Sequence, residues 1–78
     1  MKIDNDVFKG LFRDMWTMIM ESKDMNGTEE EWKKLLEAGK VITNNPRYVS
    51  VSDLAIEWIC SYVTWMEKRN KDNNQKGE

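Results

Sequence analysis

Apolar residues recur at three- and four-residue intervals in three separate segments of the chain, the spacing of amphipathic helices. The first segment, at about residues 5–24, has apolar positions at Phe8, Leu11, Phe12, Met15, Met18 and Ile19. The second, at about 28–43, has Trp32, Leu35, Leu36, Gly39 and Ile42. The third covers about residues 51–69. Because short connections favour antiparallel neighbours, the pattern predicts an all-α fold, a small three-helix bundle.

Local signals predict where the first two helices begin and end. Gly27 suits a left-handed turn after the first helix. Thr28 and Glu31 have the spacing of a capping box, in which each side chain accepts a hydrogen bond from the backbone of the other. Pro46 ends the second helix, since the residue before a proline avoids the helical region. The first helix has three candidate caps, Asp4, Asn5 and Asp6.

The third helix has a predicted start in the segment "RYVSVSD". Ser50 and Asp53 match a second capping box, and Val49 is placed to pack on Leu54 as a hydrophobic staple. We therefore expect an irregular connector that leads into a separately capped helix.

The length of the chain allows one domain, which we place at residues 1–70, followed by a disordered polar tail at 71–78 that contains no apolar residue. A chain of 78 residues buries too little surface to be very stable without extra support. With a single cysteine it cannot form an internal disulfide. Stabilisation by self-association or by a bound partner is therefore worth considering.

The apolar faces of the first and third helices are wider than a three-helix bundle can cover. The second helix has an apolar arc of about 120°, whereas Trp16 and Met20 widen that of the first to about 220°. The arc of the third helix reaches about 240°, although two neighbours cover roughly half of a helix's circumference. Some apolar surface should remain after the core is filled by Ile59, Tyr62, Val63 and Met66 of the third helix.

Three interpretations of this surplus apolar surface stay open. The bundle is tight and the aromatic rings turn their polar ends to solvent, or the chain forms a homodimer, or it presents a patch to another protein. Aromatic and methionine residues are enriched in interface centres, which favours the last two. The predicted partner interface consists of Trp16, Met20, Trp58 and Trp65, and at least two of the four should be exposed in an isolated protomer.

The chain is poor in residues that carry out catalysis. It has no histidine, the commonest general base and metal ligand. Cys60 stands in an apolar stretch in mid-helix, so we expect it to be buried and unreactive. The carboxylates of residues 29–31 point about 100° apart and cannot converge on one ion, which assigns them to capping. We expect no enzymatic activity, metal, cofactor or small-molecule substrate.

The charge distribution argues against a nucleic-acid or membrane partner. Twelve basic and fourteen acidic residues are spread evenly along the chain. The front of the third helix, "SVSDLAIEW", has no side chain suited to contact phosphates or to read base edges. The uncharged stretch 58–66 is far shorter than the roughly 18 residues needed to cross a bilayer. An acidic N-terminus without an apolar run, together with a lone cysteine, predicts a cytoplasmic protein.

The layout of the chain resembles small helical proteins encoded by bacterial phages and other mobile elements. The similarity lies in "FRDMWTMIM", "TEEEWKKLLEAG" and "EKRNK", which span most of residues 8–71. This resemblance implies an accessory protein that binds a host or element-encoded protein, including components of host defence. We therefore expect a non-enzymatic protein–protein interaction module. The alternative is a nucleic-acid-associated regulator of a mobile element.

Overall fold

The computed structural model describes residues 2–76, with the side chains of residues 2–71, as three α-helices and one 3₁₀ helix. Helix α1 is Asn5–Ser22, α2 is Glu29–Thr43, the 3₁₀ helix is Pro46–Val51, and α3 is Ser52–Lys76. No strand occurs within residues 2–76. The predicted three-helix fold is confirmed.

Helix α2 runs antiparallel to α3, and α1 runs in the same direction as α3. Gly39, late in α2, faces Ile59, early in α3. Phe12 of α1 contacts Trp58, whereas Ser22, ten residues later, contacts Tyr62. The core between these elements is formed by nine buried side chains, Leu11, Met15, Met18, Leu35, Ile42, Tyr48, Val51, Ala55 and Ile59.

The predicted caps of the first two helices are present. Asp4 is the cap of α1, and its carboxylate accepts from the Asp6 amide at 2.9 Å. The capping box at the start of α2 is complete: Thr28 Oγ1 accepts from the Glu31 amide at 3.2 Å, and Glu31 accepts from the Thr28 amide at 3.0 Å. Gly27 has φ +88°, the left-handed turn expected there.

The predicted capping box at the start of α3 is not formed by the described side chains. The Asp53 carboxylate accepts from the Leu54 amide, and Val49 is 74% exposed, so it does not serve as a staple. The physical reason is that the 3₁₀ helix continues directly into α3. The Ser52 amide already donates to the Val49 carbonyl, which leaves no free helix start to cap.

Helix α3 continues past its predicted end near residue 69, as far as Lys76. No glycine or proline interrupts the chain between residues 69 and 76, and extending a formed helix is far easier than starting one. The predicted disordered tail, residues 71–78, overlaps this extension of the helix at residues 71–76. The side chains of 72–76 and the whole of 77–78 lie outside the described residues. None of the described helices is both long and apolar enough to cross a membrane.

Candidate interaction surface

Large side chains rather than close backbones join α1 to α3. Among the pairs of elements, these two helices have the fewest close approaches between their backbones. Phe12 bridges the gap, because its ring meets the Trp58 ring edge-on with 5.2 Å between the centroids. Phe8, one turn earlier, lies 6.1 Å from Phe12. The seam between α1 and α3 is therefore aromatic.

A hydrogen bond fixes the far end of the same seam. The Ser22 hydroxyl donates to the Met18 carbonyl at 2.7 Å and lies 2.7 Å from the Tyr62 hydroxyl. Since a serine has only one hydroxyl proton, Tyr62 donates the bond to Ser22. Tyr62 also stacks on Trp65, with ring centroids 6.2 Å apart. The tyrosine thus holds the ring of an exposed tryptophan in position.

We name this seam the aromatic face and define it by six residues, Phe8, Phe12, Trp16, Trp58, Tyr62 and Trp65. They are six of the eight aromatic residues in the chain. Three rings are open to solvent, with exposed fractions of 64% for Trp16, 51% for Trp65 and 50% for Phe12. The other three are half-buried. Phe12 has Phe8 and Trp58 as ring neighbours, and Trp65 has Tyr62.

The four predicted interface residues differ in how exposed they are. Trp16, Trp65 and Met20 are exposed, which confirms that at least two of the four lie at the surface. Trp58 is the least exposed of the four: it is half-buried, packed on the core and in contact with Phe12. The role of these residues as an interface stays a prediction.

Sequence reasoning missed Phe12 as a surface residue, since it appeared only as one apolar position of the first helix. Half of its side chain is exposed. The available signal was its spacing: Phe8, Phe12 and Trp16 recur every four residues, and thus share one side of α1.

Two other apolar residues, one of them expected to be buried, are exposed outside the aromatic face. Cys60 is exposed rather than buried, and Leu36 of α2 is 50% exposed. The core direction of α3 is set by the buried Ala55 and Ile59, and Cys60 lies about 100° beyond Ile59. Ile56, one turn before Cys60, is likewise 49% exposed. The wide apolar arc of α3 thus leaves surplus surface on both of its flanks.

Basic side chains surround the exposed rings of the aromatic face. Helical residues three or four positions apart are neighbours on the helix surface. All the charged residues at these distances from Phe12, Trp16 and Trp65 are cations, and all four are exposed: Lys9, Arg13, Lys68 and Arg69. The Arg69 guanidinium lies over the Trp65 ring, 5.3 Å from its centroid. Of the six rings, Phe8 alone has an acid at such a distance, Asp4. In a chain of net charge −2, this face thus has a rim that is mainly positive.

Tyr48 was also missed, and it determines how α3 is placed. Its ring is 1% exposed, and its hydroxyl donates to the Asp14 carboxylate at 2.5 Å. Burial, reinforced by the hydrogen bond and by the negative charge of Asp14, raises the pKa of Tyr48. The ring lies against Gly10, where an added Cβ would be 2.9 Å from the hydroxyl oxygen. This contact fixes the 3₁₀ helix, and hence the start of α3, on α1.

The described residues contain no group of three or more His, Cys, Asp or Glu side chains placed to hold a metal ion. In comparisons with known proteins, no family model, curated protein or solved structure matches the chain.

Proposed function

We propose that the chain is a non-enzymatic protein–protein interaction module that uses the aromatic face of α1 and α3, either with another protein or with its own copy. The observation that carries the proposal is the exposure of Phe12, Trp16 and Trp65 on one side of the bundle. Tryptophan, tyrosine and arginine are the residues most enriched among those that dominate binding energy. The aromatic face combines all three.

The exposed area supports the proposal. If an aromatic side chain covers about 150–250 Å², the exposed fractions of these three residues leave roughly 250–410 Å² in solvent. Contiguous apolar patches of about 300–600 Å² are the largest on a typical monomer and are often functional. A standard interface uses about 800 Å² per partner, so the rings would supply its centre and the surrounding polar residues its rim.

The rigidity of the face also supports the proposal. Phe8 and Trp58 contact the Phe12 ring, and Tyr62 stacks on Trp65. Tyr62 is in turn tied to α1 by its hydrogen bond to Ser22. A side chain that is already held in place loses less conformational entropy when a partner covers it. Phe12 and Trp65 are therefore supported before any partner arrives.

For the setting, we propose what the resemblance to phage and mobile-element proteins implies: an accessory protein that binds a host protein, with components of host defence among the candidates. The free, exposed thiol of Cys60 supports action in a reducing compartment such as the cytoplasm.

The proposal is tested by capture from host extract with three tagged forms of the chain. These are the native protein, the double variant Trp16→Ala/Trp65→Ala, and the control Leu36→Ala/Ile56→Ala, whose residues are about equally exposed but lie outside the aromatic face. Sedimentation of the same proteins measures self-association.

We expect the native protein and the control to retain a common partner or a dimer. The aromatic variant should lose at least tenfold in affinity, since a buried tryptophan anchor contributes about 2 kcal/mol or more. Partner binding that is equally strong in the aromatic variant would refute the role of this face. So would a strictly monomeric native protein that captures nothing.

A further inference from the structure

The positive rim of the aromatic face points to the chemistry of its partner. We propose that the face binds an acidic protein segment, in which carboxylates surround one or more apolar anchors. This inference rests on the proposed function and specifies the partner of the same surface.

Charge complementarity is the first argument. Lys9 and Arg13 flank Phe12 and Trp16 on α1, and Lys68 and Arg69 flank Trp65 on α3. No acidic residue lies three or four residues from these three exposed rings, and Asp4, beside Phe8, is the one acid at that distance from any ring of the face. Rim charges of one sign attract a partner of the other sign and exclude partners of the same sign.

The same rim opposes a symmetric dimer through this face. In a two-fold interface the same patch occurs on both sides. Two copies meeting through the aromatic face would bring two sets of four cations together, and like charges across an interface are unfavourable. An acidic partner would not be repelled by these cations.

The geometry of the rings favours a protein over a single-stranded nucleic acid. Nucleic-acid bases bind by stacking on free aromatic faces. Tyr62 stacks on Trp65 from three residues before it, and Arg69 covers the ring from four residues after it. Trp65 therefore already has two ring contacts within its own helix. Trp58 is likewise covered, by Phe12. These contacts occupy part of the ring surface on which a base would stack.

A displayed library of random peptides, selected on the immobilised full-length protein, tests this inference. The selected peptides are then measured by fluorescence anisotropy against the native protein and two charge-reversal variants. The first variant is Lys9→Glu/Arg13→Glu at the rim. The second, Lys33→Glu/Lys34→Glu, makes the same change of charge at exposed positions of α2 and serves as the control.

We expect the selected peptides to carry net negative charge and to bind the rim variant at least tenfold more weakly than the control. Their affinity should also fall as salt is added. Selection of neutral or basic peptides, or equal binding by the two variants, would overturn the inference. A fluorescent oligothymidylate is measured in parallel. If the native protein binds it and the rim variant does not, the inferred partner is a nucleic acid rather than an acidic protein segment.

The aromatic variant Trp16→Ala/Trp65→Ala distinguishes failure of this inference from failure of the proposed function. Peptides that need these rings but show no preference for acidic residues leave the aromatic face as an interaction surface with a different partner. Peptides that bind the aromatic variant as well as the native protein remove both proposals. Circular dichroism of each variant verifies that it is folded.

Discussion

Replacing Gly10 by alanine should destabilise the native protein but stabilise a protein in which Tyr48 is replaced by phenylalanine. The two residues meet where α1 contacts the 3₁₀ helix. The hydroxyl oxygen of Tyr48 lies 2.9 Å from the position of an added Cβ, closer than real Cβ contacts allow. The substitution therefore measures what the hydroxyl group does at this contact.

The expected change in the free energy of unfolding on Gly10→Ala is the balance of two opposing effects. In a helix interior, alanine is more favourable than glycine by about 0.8–1 kcal/mol. Against this, the new methyl group displaces the Tyr48 hydroxyl, which is buried and bound to Asp14. A hydrogen bond to a charged group contributes about 1.5–3 kcal/mol. The net effect in the native protein is a loss of about 0.5–2 kcal/mol.

In a protein that already lacks the Tyr48 hydroxyl, Gly10→Ala should stabilise rather than destabilise. In the Tyr48→Phe background the nearest ring carbons are 3.3 and 3.5 Å from the added Cβ, distances that a small shift of the ring accommodates. Asp14 is partly exposed, so water replaces its lost partner. Gly10→Ala should then stabilise by up to about 1 kcal/mol. The coupling free energy between the two positions is expected to be about 1–3 kcal/mol.

Urea unfolding of the four proteins, followed by tryptophan fluorescence, gives the free energies by linear extrapolation. The native protein, the two single variants and the double variant complete the cycle. If Gly10→Ala changes stability by the same amount and sign in both backgrounds, the tyrosine hydroxyl does not determine the packing at Gly10. The account of how α3 is placed would then be wrong.

Three further predictions concern the connection between α1 and α2. Thr28→Ala should destabilise by about 1 kcal/mol in urea unfolding, because it removes the cap of the Glu31 amide. Gly27→Ala should destabilise by about 1–2 kcal/mol, because φ is +88° and the new Cβ would collide with Asn70. Glu31→Gln should destabilise at neutral pH, with a difference from the native protein that disappears on acidification. Backbone hydrogen bonds from Thr28 and Asn26 lower the pKa of Glu31 below 4.5, so the stability it contributes is present above pH 4.5 and is lost as the pH falls through the lowered pKa.

Each of these three predictions has an outcome that contradicts it. Thr28→Ser is the control for the cap, since serine retains the hydroxyl, and equal losses for serine and alanine would exclude the capping bond. For Gly27, an Asn70→Ala background that abolishes the whole effect would assign it to the collision alone, without strain in the turn. For Glu31, a difference that persists unchanged at acidic pH would show that ionisation has no part in it.

Local sequence patterns were enough to predict the three helices and the connection between the first two, but not the start or the end of α3. The three helices follow from apolar spacing, and the capping box of Thr28 and Glu31 and the turn at Gly27 follow from residues within four positions of each other. Such interactions depend only on near neighbours in the chain. The excess of apolar surface on the first and third helices was also readable, because it follows from the width of each apolar arc.

The tertiary structure decided which part of that excess faces solvent. Phe12 and Cys60 are exposed and Trp58 is half-buried, outcomes that depend on how α1 and α3 pack against each other. That packing includes Tyr48 on Asp14 and Gly10, contacts 34 residues or more apart that no local pattern contains. The four basic residues were always visible in the sequence. They became the rim of one surface only when packing determined which rings remain exposed.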